Sequence, residues 1–250
     1  MLLARIEEAS LHTSRLSQIA IAVAALSAAL FASMPVLAKL EAMDGFVAFR
    51  LFLLGSLLAV LALLLGLGAL FTTRASKGRA GRGLAWGACA LAVVVIGSVA
   101  LAAGRSARVP AINDITTDPS DPPGFSVLAR DPANAGRDMS YPGEAFASQQ
   151  RAGYPDLAPI DVATSSTDTF AATKAAIEAF GWRIAAADPA AGTIEATDTS
   201  RIFRFVDDIA VRVRPLATGA RVDMRSKSRV GKGDVGANAA RIRRLRDALQ

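Results

Sequence analysis

The sequence predicts an α+β protein of two parts: three N-terminal transmembrane helices, then an α-β-β-β-β-α domain with a four-stranded antiparallel sheet and its helices on one face. Three observations predict it. Three uncharged apolar runs of about twenty residues fall within the first 104 positions, charged residues and prolines take over from Arg105, and alternating patterns between residues 182 and 230 are flanked by helical ones.

The runs at 19–38, 51–71 and 83–104 carry no charge. Each approaches the roughly 20 residues that cross a hydrocarbon core about 30 Å thick, and none has the polar stripe of a soluble helix. The loop after the second run holds Arg74, Lys77, Arg79 and Arg82 without an acid, whereas the loop before it holds Lys39, Glu41 and Asp44. Short cationic loops stay on the cytoplasmic side. The N-terminus is therefore predicted to be cytoplasmic, with residues 1–18 as an amphipathic segment on the membrane surface. The third span then carries residues 105–250 to the periplasmic side of an inner membrane, with Arg105 and Arg108 as weak opposition. Val36-Leu37-Ala38 also resembles a signal-peptide cleavage site, but the long leader contains Glu7 and Glu8, unlike a positive n-region. Cleavage would leave two spans and the same placement of the domain.

No Asp, Glu, Lys or His lies within a run, and Arg50 sits at an end, which argues against a proton- or ion-coupled transporter. Gly83 and Gly87 form a GxxxG pair near Gly66 and Gly68, which permits close helix packing, although small residues are ordinary in alanine-rich spans.

The formal charge of +6 divides into +4 before Arg105 and +2 after it. A nucleic-acid partner is set aside on that ground, because its binding surface would concentrate a basic excess on the soluble part. Cys89 is the one cysteine and lies in an apolar run; His12 is the one histidine and precedes the first span. Disulfides, zinc sites and Ser/His/Asp triads within the C-terminal part are thereby excluded, and no cofactor is expected.

Eight of the 11 prolines fall between Pro110 and Pro159. Proline disfavours long helices and central strands, so residues 105–165 are predicted as an irregular connector wrapping the domain, anchored by Ile112, Ile115, Phe125, Tyr141, Phe146, Tyr154, Leu157 and Ile160, with a short helix around Glu144 to Arg151. The domain proper is placed at 166–250. Thr167 or Asp168 caps a helix over 169–180 that ends at Gly181. A hairpin follows, with strands 182–187 and 193–198 around Asp188-Pro189-Ala190-Ala191-Gly192. The third strand aligns Phe203, Phe205, Ile209, Val211 and Val213 on one face and Arg204, Asp208, Arg212 and Arg214 on the other. The fourth puts Val222, Met224 and Val230 inward and Arg221, Asp223, Arg225, Lys227 and Arg229 on a wet or polar-covered face. Asp234 caps a final helix striped by Ile242, Leu245 and Leu249.

Candidate sites gather in the last third. Gly231-Lys232-Gly233-Asp234-Val235-Gly236 matches GxGxxG between strand and helix, yet only 14 residues follow it, with no room for the second strand of a dinucleotide fold. The turn with Lys232, Arg229 and Lys227 offers an anion site at a helix start, or is simply a tight turn. Asp207 is the odd member of an apolar face and needs a partner, either a catalytic setting or an ion pair of Asp207 or Asp208 with cross-strand Arg225 or Arg229. Asn238 is expected to bond loop backbone. Asp114, Asp118 and Asp121 are oxygen donors for calcium or turn caps, and their spacing is not that of an EF-hand. Arg241, Arg243, Arg244 and Arg246 on the last helix face anionic headgroups or plain solvent.

The segments VPAINDITTDPSDPPGF, GWRIAAADPAAGTIEATDT, FRFVDDIAVRVRP and RVDMRSKSRVGKGDVGANAARIR together resemble the domain of unknown function 1499 family, over about Val109 to Leu249. The resemblance implies a membrane-anchored bacterial envelope protein and brings no active site. Positions matching the family's pattern are Asp114, Asp118, Pro122, Pro123, Trp182, Glu195, Thr197, Asp207, Asp208, Arg225, Ser226, Ser228, Arg229, Gly231, Asp234, Gly236 and Asn238.

The function expected is a multi-pass membrane protein whose extracytoplasmic, non-catalytic module binds an anionic ligand, a lipid headgroup or an envelope protein. Its candidate ligand-binding residues are Asp207, Asp208, Arg225, Ser226, Arg229, Gly231, Lys232, Asp234 and Asn238. One alternative is a histidine-free hydrolase or transferase using Asp207 or Asp208 with Ser226 or Ser228; another is a scaffold subunit of a membrane complex.

Overall fold

The computed structural model describes residues 13–74, 80–107 and 109–250, in two compact units, Met1–Gly104 and Arg105–Gln250. Most of the predicted amphipathic segment, Lys77 and Arg79 of the basic loop, and Arg108 lie outside the described residues.

The first unit is three helices, α1 (Arg15–Lys39), α2 (Gly45–Thr72) and α3 (Arg82–Ser106), of 25, 28 and 25 residues. All three are long and apolar enough to cross a membrane. They outrun the uncharged stretches because polar ends are tolerated and capped: Asp44 Oδ1 accepts from the amides of Phe46 and Val47, each at 3.0 Å, and starts α2. Small residues set the packing, with Ala20, Ala24, Ala62, Ala88 and Ala92 buried together. Ser27 Oγ donates to the Gly55 carbonyl at 2.7 Å, linking α1 to α2.

Gly66 is the close approach between α2 and α3, since a Cβ there would lie 2.6 Å from Cys89 Sγ, whereas nothing comes within 4 Å of a Cβ at Gly83. Within the Gly83/Gly87 pair it is Gly87 that faces a neighbour, since a Cβ there would lie 3.4 Å from Ile21 Cδ1 of α1. Gly66→Leu is expected to cost about 1–3 kcal/mol by overpacking, lowering the thermal midpoint of the detergent-solubilised chain. Gly83→Leu should leave that midpoint unchanged.

The second unit runs β1 (Asp114–Thr116), α4 (Glu144–Gly153), β2 (Ile160–Val162), α5 (Ser166–Ala179), β3 (Arg183–Asp188), β4 (Thr193–Thr199), β5 (Val206–Pro215), β6 (Ala220–Ser228) and α6 (Ala237–Leu249). Short 3-10 turns occupy Leu128–Arg130 and Pro132–Asn134. The sheet is antiparallel in the order β1-β6-β5-β4-β3, with β2 also paired to β6. It therefore has six strands rather than four. The stretch expected to be irregular supplies the extra two, because three residues suffice to pair with the far edge of β6, β1 along its end and β2 along its start. Such short strands show no readable alternation.

Other boundaries move for local reasons. Ser165, not Thr167 or Asp168, caps α5: its Oγ accepts the Asp168 amide at 3.1 Å while donating to the Asp168 carboxylate at 2.7 Å. Phe203 and Phe205 precede β5 instead of lying in it, and Arg204 between them has φ of 58°. Val230 lies past the end of β6 and is exposed.

The two sheet faces differ in chemistry. On one, Ile194, Ala196, Ile209, Val211, Val213, Val222 and Met224 pack against α5 and α6 through Phe170, Ile177, Ala239, Ile242 and Leu245. The other carries Glu195, Asp208, Asp223, Arg225 and Lys227, all of them buried. The residues between β1 and α4 supply the backbone and side-chain groups that bond these charges.

Candidate functional site

Three polar clusters gather most of the residues that sequence singles out. The first grows from the β1–β6 register, which sets Asp114 opposite Lys227 and Thr116 opposite Arg225. Arg225 grips Asp114 with both arms of its fork, Nε to Oδ1 at 2.8 Å and Nη2 to Oδ2 at 2.7 Å, while Lys227 Nζ reaches Oδ2 at 2.8 Å. Arg225 Nη2 also donates to the carbonyls of Met139 at 3.1 Å and Ser140 at 2.9 Å. The rings of Phe125 and Tyr141 stand 4.9 and 5.6 Å from its guanidinium carbon. Only 2% of Arg225 is exposed. Burial first, and the Asp114 charge second, push the Tyr141 hydroxyl up to about 12.

The second cluster lies along the same face. Asp208, fully buried, accepts from Arg229 Nη2 at 2.6 Å and Nε at 2.9 Å, and from Asn134 Nδ2 at 3.1 Å. Arg137 lies 3.4 Å from the same carboxylate and donates to the Ser228 carbonyl at 2.8 Å. Glu195 caps the start of the neighbouring 3-10 turn: Oε1 accepts the amides of Ser126 at 2.8 Å and Val127 at 3.0 Å and the Ser126 hydroxyl, and Oε2 accepts the Leu128 amide at 2.7 Å. Burial opposes its ionisation, but the Ser126 hydroxyl and those three amides outweigh it and hold the carboxyl below the usual range. Asp223 completes the face, paired with Arg212 at 3.2 Å and Arg214 at 2.6 Å, and both arginines also reach Asp121.

The third cluster is on the helix side. Asp207 pairs with Arg241 of α6 at 2.8 Å, not with a cross-strand arginine, and Arg241 also holds Asp198. Burial pushes the Asp207 carboxyl up, with Arg241 and the Ser228 hydroxyl opposing. Ser226 donates to Asn238 Oδ1 at 2.6 Å, and Asn238 Nδ2 donates to Ser228 Oγ at 2.9 Å and to the Asn113 carbonyl at 3.2 Å.

The glycine turn stands apart. Asp234 fills the start of α6 itself, accepting the amides of Gly236 and Asn238 at 2.8 Å each. Those helix-start amides are therefore already satisfied within the chain. Gly231 and Lys232 remain exposed. Asp118 is a turn cap for the amides of Ser120 and Asp121, and among the described residues no group of three His, Cys, Asp or Glu is placed to hold a metal ion.

The nine candidate residues therefore divide. Asp207, Ser226 and Asn238 meet in one cluster, Asp208 and Arg229 in another, Arg225 in a third, while Gly231 and Lys232 face solvent beside Asp234. Arg241 belongs to the buried side of α6 and not with Arg243, Arg244 and Arg246, as its position three residues after Asn238 indicates. Asn134 and Arg137 carried no sequence signal, since their partners lie more than 70 residues away. A groove of about 560 Å³ between α5 and the β3–β4 and β5–β6 turns is lined by Ser166, Phe170, Pro189, Gly192, Val213 and Pro215, among others, and holds no acid.

These features define a class: a protein with three membrane-capable helices joined to an α+β domain whose polar sheet face is sealed by ion pairs. The chain belongs to the family described as "Protein of unknown function (DUF1499)", whose model matches residues 114–249. Comparison with curated proteins finds no match, and comparison with solved structures finds none.

Proposed function

We propose that the chain is a multi-pass protein of a bacterial inner membrane whose periplasmic domain is a non-catalytic module that binds an anionic ligand. The observation that supports this is the distribution of charge. Asp207, Asp208 and Arg225 are each engaged in a buried ion pair, and Ser226 in a buried hydrogen bond, whereas Lys232 stands exposed on a glycine turn. A carboxylate-dependent hydrolase would need two such groups free in one concavity. Here the acids meet arginines and the hydroxyls meet Asn238. Binding through the exposed turn asks nothing of the buried groups except that they hold it in place.

Anionic lipids and phosphate esters retained by the full-length protein after purification in mild detergent provide the test. Lys232→Glu is expected to lower that retention severalfold, and unchanged retention would end the ligand reading. Compartment is tested separately. A reporter enzyme active only outside the cytoplasm, fused after Gln250, is expected to be active.

A further inference from the structure

Antiparallel pairing brings two loops to one end of the sheet. β4 leaves at Thr199 beside Val206 of β5, β6 leaves at Ser228 beside Asp207, and the Arg229 amide donates to the Val206 carbonyl at 3.2 Å. The loop tips carry apolar side chains into solvent: Ile202 is 57% exposed, Val235 61% and Val230 37%. Exposed cations flank them, Arg201 beside Ile202 and Lys232 between the two valines.

Val235 does not reach this position by default. Its φ of 57° lies in the left-handed region, which a β-branched residue rarely adopts. Asp234, bonding the Gly236 and Asn238 amides across it, holds it there. The fold thus fixes an apolar side chain outward at the tip of a basic turn.

The apolar and cationic make-up of the tips identifies the occupant. The 229–236 loop is stitched to the segment that opens the domain, with the Asp234 amide donating to the Ile112 carbonyl at 3.2 Å, Asn113 Nδ2 to the Gly231 carbonyl at 2.5 Å, and the Ser228 amide to the Asn113 carbonyl at 2.8 Å. Helix α3, apolar enough to cross a membrane, ends at Ser106. Six residues of chain, 107 to 112, join that helix to the segment that opens the domain. Apolar tips flanked by cations are the composition that settles at the interface of an anionic bilayer.

We propose that this end of the domain docks on the surface of an anionic bilayer, with Ile202, Val230 and Val235 in the headgroup layer and Arg201 and Lys232 against lipid phosphates. This deepens the anionic-ligand reading above, and rests on it, by naming the ligand as the membrane itself.

The full chain in reconstituted bilayers tests it. Nitroxide labels are placed singly at Ile202→Cys, Val235→Cys and, on the turn at the opposite end of the sheet, Leu216→Cys, in a Cys89→Ala background. With phosphatidylglycerol present, labels at 202 and 235 are expected to be shielded from a water-soluble nickel relaxant and open to oxygen, while the label at 216 stays open to nickel. Arg201→Glu with Lys232→Glu should return the first two labels to water. Near-ultraviolet dichroism of that double variant, unchanged from wild type, reports that the domain remains folded. If labels at 202 and 235 stay open to nickel in every bilayer, docking is overturned. Should they instead respond to soluble glycerol phosphate in neutral bilayers, docking fails while the anionic-ligand reading stands; no response to either sinks both.

Discussion

Replacing Arg225 by alanine is expected to lower the stability of the C-terminal domain by about 3–5 kcal/mol, the cost of removing one partner of a buried ion pair. At this domain size each kcal/mol corresponds to about 3 °C, so the thermal midpoint should fall by about 10–15 °C. The loss is large because Arg225 serves several groups at once. It neutralises Asp114, it satisfies the carbonyls of Met139 and Ser140, and it lies against the rings of Phe125 and Tyr141. Arg225→Lys keeps the charge but loses the fork and its stacking, and should recover a minor part. The pair Asp114→Leu with Arg225→Met is expected to be more stable than Arg225→Ala alone. No buried charge is then stranded, because Lys227, with 11% of its side chain exposed, is free to turn to water. Thermal unfolding of the full-length chain, followed by near-ultraviolet dichroism, measures all three. A midpoint for Arg225→Ala within a degree or two of wild type would mean that the cluster is not what closes the polar face.

What this residue does shows which parts of the fold are legible in sequence. Arg225 is visibly a member of an alternating strand, and alternation correctly separates it from Met224 and Val222. Alternation says which face a side chain takes, however, and not whether that face is wet. The covering partner lies in the proline-rich stretch, where Asp114 and the carbonyls of Met139 and Ser140 are 85 to 111 residues away and sit in segments too short or irregular to carry a period. The three apolar helices are legible because twenty uncharged residues have few other uses. The ion pair of Asp208 with Arg229 is legible because cross-strand neighbours two ladder positions apart follow from register. Asp207 with Arg241 is not, since it depends on how α6 crosses the sheet. The polar side chains of Asp207, Ser226 and Asn238 resemble a site in one dimension and form a closed hydrogen-bond cluster in three.

Glu195→Ala is expected to cost about 3 kcal/mol and to free the segment that covers the polar face. Its carboxylate accepts three consecutive amides, those of Ser126, Val127 and Leu128, and hydrogen bonds to a charged group contribute about 1.5–3 kcal/mol each before the backbone relaxes to water. Amide hydrogen exchange at 126–128 should speed up strongly, with the effect spreading to Asn134 and Arg137, which lock onto Asp208 only while this turn is held. Glu195→Gln isolates the charge. The amide nitrogen that replaces one oxygen either faces the Leu128 N–H or displaces the bonds of Ser126 and Val127, so a smaller loss remains at neutral pH. Acid distinguishes the two forms. The folded carboxyl of Glu195 is held below its ordinary value of 4.5, so its contribution is present above that value and is lost as pH falls through the lower folded one. The stability gap between wild type and Glu195→Gln should therefore be constant near neutrality and close progressively below about pH 4.5. A gap that stayed constant into acid would show that shape, not charge, holds the turn.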